Sequence, residues 1–212
     1  MPNLPISQLP QSNPLDGTEL FAIVQNGVTK HVPLSSIVTS LTSNYGLYNQ
    51  TGSSTPITNT TSELSLLDGG VGSLIIPANS FKKGDAFRAI LTGHITAVNN
   101  NTIEIKVKTD SIPLADTGII TLAGTTDKDW GLEIYFSINE IGGAGTAAIT
   151  TGGNFNYTKN AGGSTEGAIF SFTNNTTFDT TISNTLEITA QWGAADPGNI
   201  IFSEICTLNK TF

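Results

Sequence analysis

Thr102-Ile103-Glu104-Ile105-Lys106-Val107-Lys108-Thr109 alternates apolar and charged side chains without a break. Successive residues of a β-strand point to opposite faces, so Ile103, Ile105 and Val107 share one side and Glu104, Lys106 and Lys108 the solvent side. The stretch reads as a half-buried strand. Further along, Leu132, Ile134, Phe136 and Ile138 oppose Glu133, Tyr135 and Ser137 in the same way. Working outward, the pattern predicts strands over 73–76, 85–97, 118–122, 146–157, 167–173, 185–192 and 199–208, separated by Gly, Asn, Asp and Pro clusters. No amphipathic helical stretch interrupts them. Each strand has one dry face, so the prediction is an all-β domain over 64–212 in which two antiparallel sheets pack as a jelly-roll sandwich. Ile76-Pro77 and Ile112-Pro113 put proline at strand ends, where a missing N–H costs little.

Only 12% of the 212 residues are charged, against roughly 25% in an average soluble domain. The surface is therefore built from Thr, Asn, Ser and Gly. Ten Phe and two Trp within a 38% hydrophobic chain suffice to fill a β core. A net charge of −8 argues against attraction to nucleic-acid phosphates. No apolar run approaches the roughly 20 residues a bilayer requires, and no membrane insertion is expected. Lys82-Lys83 and Lys106, Lys108 read as solvent-facing. The single cysteine, Cys206, lies in the apolar run Ile205-Cys206-Thr207-Leu208, where a small buried hydrophobe is the natural reading.

The first forty-odd residues form a different unit. Residues 18–25 alternate loosely, Asn26-Gly27 supplies the two positive-φ residues of a type I′ turn, and 28–32 run back as a second strand. Pro33 opens a predicted helix in which Leu34, Ile37, Val38 and Leu41 share one face. Below roughly 40 residues a unit without staples needs a partner, so this one is expected to dock. Residues 43–63, polar and without periodicity, read as a linker.

Ile6-Ser7-Gln8-Leu9-Pro10, then Leu15-Asp16-Gly17-Thr18-Glu19-Leu20, then Val24-Gln25-Asn26-Gly27-Val28-Thr29-Lys30 resembles the N-terminal segment of tailed-phage fibre and virion-associated proteins. The resemblance implies a particle-anchoring segment over 1–42, with Ile6, Leu9, Leu15, Leu20, Ile23, Val24, Val28, Val32 and Ile37 as its contact residues. The opening Ile76-Pro77-Ala78-Asn79 and Lys82-Lys83-Gly84-Asp85, with Trp130-Gly131-Leu132 and Thr189-Ala190-Gln191-Trp192-Gly193, resembles a β-sandwich module of phage and environmental viral structural proteins. It marks Pro77, Asn79, Gly84, Asp85, Trp130 and Trp192 as family positions, implies a homotrimer, and transfers no catalytic residue.

Few residues of the all-β domain carry the makings of chemistry. Asp127, Asp129 and Glu133 are the candidates for the two carboxylates of glycoside cleavage, yet Asp127-Lys128-Asp129 reads as a turn, where carboxylates cap the backbone. The same aspartates could ligate Ca²⁺, but the remaining oxygens of such a site cannot be pointed to. Gly142-Gly143-Ala144-Gly145 and Gly152-Gly153 fit no phosphate-binding pattern and read as loops or bulges. Trp130 and Trp192 fall on dry faces, which leaves Tyr45, Tyr48 and Phe178 as candidates for surface contacts. The expectation is a non-enzymatic virion fibre or spike without cofactors or metal. Its partners would be its own copies, other virion proteins and a glycan or protein of the host surface. A capsid decoration protein and a carbohydrate-binding module are the alternatives.

Overall fold

The computed structural model describes residues 20–33 and 46–212, which belong to two compact units divided between residues 44 and 45. Every regular element among the described residues is a strand. In the first unit, β1 (Leu20–Gln25) and β2 (Val28–Pro33) pair antiparallel from Leu20↔Pro33 to Gln25↔Val28. Asn26 and Gly27 close the hairpin with φ of 54° and 74°, the left-handed values a type I′ turn demands. Pro33, read from the sequence as the start of a helix, ends β2 instead. The arm carrying Ile6, Leu9 and Leu15, and the expected helix carrying Ile37, lie outside the described residues.

The second unit opens with five short strands: β3 (Tyr48–Gln50), β4 (Ile57–Thr58), β5 (Leu64–Ser65), β6 (Gly70–Gly72) and β7 (Ile75–Ile76). The long ones follow: β8 (Ala86–Ala97), β9 (Thr102–Thr109), β10 (Ile112–Asp116), the short β11 (Ile120–Thr121), β12 (Thr125–Glu140), β13 (Ala148–Thr158), β14 (Thr165–Asn174), β15 (Asn184–Trp192) and β16 (Ile200–Lys210). A large sheet runs β14-β13-β12-β8-β16-β3-β6, with β4 also on β16. A smaller one runs β10-β9-β15-β5, with β11 on β9 and β7 on β15. All pairs are antiparallel. The dry faces of both sheets supply one hydrophobic core, giving a sandwich-like all-β unit.

The alternation that predicted the long strands is what fills this core. Ile103, Ile105 and Val107 from β9 and Leu132, Ile134, Phe136 and Ile138 from β12 are all buried. The linker expected over 43–63 is corrected wherever it is described. Tyr48, Gln50, Ser54 and Ile57 are buried, and β3 and β4 hydrogen-bond to β16. These residues look like linker because half of them are polar, but their polarity is internally satisfied. Gln50 Nε2 donates to Ser203 Oγ at 3.0 Å, and the Ser203 amide donates to Ser54 Oγ at 2.9 Å. A buried polar group with a partner is tolerated where an orphan is not. Gly152 and Gly153, read as loop or bulge, lie inside β13 in unbroken register with β14.

Candidate functional site

Of the residues expected to anchor the chain, those within the described residues lie on the hairpin. Its register places Phe21, Ile23, Val28 and Val32 on one face with Lys30, and Leu20, Ala22, Val24 and Pro33 on the other with Thr29 and His31. Both faces are thus mainly apolar, so the hairpin has no wet side. Leu20 is 62% and Val24 74% exposed, while Val32 is half-buried. A two-stranded ribbon is marginal in water without a third element, and contiguous exposed apolar residues make a surface a candidate contact face.

The positions that the sequence resemblance singles out in the second unit all serve the scaffold. Asn79 (φ 60°) and Gly84 (φ 90°) occupy the two left-handed corners of the segment that leads into β8. The Asn79 amide donates to Thr180 O at 2.8 Å, the Gly84 amide to Ile138 O at 2.8 Å, and Pro77 O accepts from the Ser80 amide. The buried Asp85 carboxylate accepts from the Lys82 amide at 2.9 Å and pairs with Lys210 Nζ at 2.7 Å, tying the start of β8 to the end of β16. Trp130 and Trp192 are buried, and each indole N–H has found a carbonyl: Phe202 O at 3.0 Å for Trp130 and Ile57 O at 3.0 Å for Trp192.

Two of the aromatic residues expected at the surface are not there. Tyr48 is buried and its hydroxyl donates to Asp68 O. Phe178 is 1% exposed because Asn174 Oδ1 accepts from the amides of Thr176, Thr177 and Phe178, turning that ring inward against Phe81 at 5.8 Å. Tyr45 lies outside the described residues. Lys106 and Lys108 are also less solvated than expected. Both reach the Glu63 carboxylate, at 3.1 and 2.6 Å. Burial alone would raise the Glu63 carboxyl, but hydrogen bonds from Lys108, Thr189 and Lys106 outweigh it and hold the group down at about 2.

The acidic candidates separate into two places. Asp127 and Asp129 stand 81% and 88% exposed by side chain at the start of β12, with His94 Nδ1 3.3 and 3.8 Å away. On the other side of the imidazole, Glu204 Oε2 lies 3.4 Å from Nε2. The sequence does not reveal this group, because β8, β12 and β16 carry its members and only their register unites them. No set of three or more His, Cys, Asp or Glu among the described residues is arranged to hold a metal ion. Glu133 belongs to a different cluster. The Tyr135 hydroxyl, and then the Arg88 guanidinium, hold its carboxyl below the usual range, which favours an ion over a proton donor. Burial pushes the Cys206 thiol up to about 12, far from a reactive thiolate. No family profile, curated protein or solved structure matches this chain.

Proposed function

We propose that this chain is a non-enzymatic virion structural protein, a fibre or spike held on a phage particle through its N-terminal segment and presenting the β head outward for host-surface attachment. The observation that carries the reading is the hairpin of β1 and β2, on which Leu20, Val24 and Val28 stand exposed. A docking element of this kind beside a self-sufficient core is what a peg and a knob require. The head is a jelly-roll variant in this reading. Support comes from its nested pairing, β8 with β16 and β9 with β15, while the β12-β13-β14 meander within one sheet is a departure from two full Greek keys. The assembly is a homotrimer, since a surface poor in charge desolvates cheaply and closed symmetry lets one short anchor act three times.

Co-sedimentation with purified virions of the encoding phage tests the reading. The full chain is expected to pellet with particles depleted of it, and a chain lacking residues 1–44 to stay in solution. Equal pelleting of both would overturn the assignment of the anchor.

A further inference from the structure

We propose that the outward face of the large sheet around Tyr135 binds an uncharged sugar chain, an inference that rests on the attachment reading above. The strand register sets Arg88, Tyr135, Gly152 and Ser171 in one row across β8, β12, β13 and β14. The next row is Glu133, Asn154 and Ile169, and the one after it Gly131, Asn156 and Gly167. Tyr135 is 52% exposed yet fixed in place. Its hydroxyl donates to Glu133 Oε1 at 2.5 Å, and the Arg88 guanidinium, itself paired with Glu133, sits 5.8 Å from the ring centroid. One side of the ring is therefore held from β8. On the β13 side stands Gly152, where no side chain occupies the space.

One row further along the same face, an open cleft of about 480 Å³ lies over β13 and β14, lined among others by Asn154, Asn156, Glu166, Gly167 and Ile169, and the register makes Asn154 the diagonal neighbour of Tyr135. That volume is within the range of small-ligand sites. Asn154 and Asn156 lie two positions apart on one face, roughly 7 Å, and each amide offers both donors and an acceptor. Glu166 contributes no spare charge, since Tyr157 Oη and Lys159 Nζ already hold it. The face thus offers a rigid aromatic ring for the C–H face of one pyranose and, one and two rows on, amides for the hydroxyls of the next, with no net charge. A phosphate or sulfate would need surplus cations, which are missing here. A second copy of the chain is disfavoured because a flat sheet cannot enter the cleft and would have to desolvate the Arg88–Glu133 pair. The outer face of the small sheet differs, since Glu63, Glu104 and Glu187 pair there with Lys106 and Lys108.

The test uses the full chain on an array of bacterial surface glycans, with maltoheptaose, cellohexaose and chitohexaose as soluble probes followed by titration calorimetry. A neutral saccharide is expected to bind, and Tyr135→Ala to weaken it about tenfold or more, the loss of roughly one stacking contact. Tyr135→Phe should retain most of the affinity. Gly152→Val is the sharper variant. A Cβ at Gly152 meets nothing nearer than Phe170 O at 3.8 Å, so the fold accepts it, while the valine fills the space beside the ring. Binding should vanish with the melting temperature unchanged or raised. Failure of every neutral glycan to bind, or full affinity in Gly152→Val, would overturn the site. So would a sugar-free oligomer that Tyr135→Ala dissociates, which would assign the face to a second copy. If the sugar binds but the chain does not sediment with particles, the site stands and the attachment reading falls.

Discussion

Gly152 and Gly153 are neighbours in β13, yet a methyl group meets opposite fates at the two. At Gly153 an added Cβ would lie 2.3 Å from Phe170 Cζ and 2.9 Å from Glu133 O. The cross-strand Phe170 ring folds over Gly153 and takes the volume a side chain would need, which is why a glycine sits mid-strand. Gly153→Ala should destabilise by about 1–3 kcal/mol, the usual cost of overpacking. Gly152→Ala should be neutral or stabilise by roughly 0.5 kcal/mol, since glycine is a poor strand former. Urea denaturation of the two variants measures the contrast. Glu63 provides a second test at this scale. Its carboxyl is held at about 2 against an ordinary value of 4.5, so the ionised form is the one bound by folding. That stabilisation is complete above pH 4.5 and is lost as pH falls toward 2. Glu63→Gln should lower stability at pH 7 by about 1 kcal/mol, a modest value because the cluster is still wetted. The variant should also show a flatter decline between pH 4.5 and 2. An unchanged acid limb would separate Glu63 from the lysines.

At the level of elements, legibility followed burial on one face. β9 and β12 could be read from Ile103 to Val107 and from Leu132 to Ile138 because one side of each is wet and the other dry. β3 and β4 could not, since two or three residues carry no period and Gln50 and Ser54 are buried polar groups whose partner, Ser203, lies about 150 positions away. β10 was hidden by Pro113, which sits in an edge strand where its missing donor is harmless. Phe178 was misread for a related reason. Its turn-rich setting is real, but the Asn174 carboxamide aims that turn inward. Of the sugar site, Tyr135 was legible as an outward residue, whereas Gly152 and Asn154 beside it depend on the β12–β13 register. A truncation series checks the element that was missed. Loss of residues 1–44 should leave the melting temperature within about 2 °C of the full chain, while loss of 1–63 strips β3 and β4 from β16 and removes Glu63. The longer deletion should abolish cooperative melting; a sharp transition retained there would restore the linker reading.

On the scale of the whole molecule, the described residues form a hairpin with two mainly apolar faces and a sandwich with its own core. Light scattering of the full chain should give the mass of three copies, and a mass near one chain would remove the trimer from the proposal. The claim on which the rest depends is that the hairpin is completed only by a partner on the particle. Amide hydrogen exchange of β1 and β2, compared between the isolated chain and the assembled virion, addresses it most directly. Fast exchange in isolation and strong protection on the particle, with β8, β12 and β16 protected in both states, is the predicted result. Equal protection of the hairpin amides in the two states would contradict it.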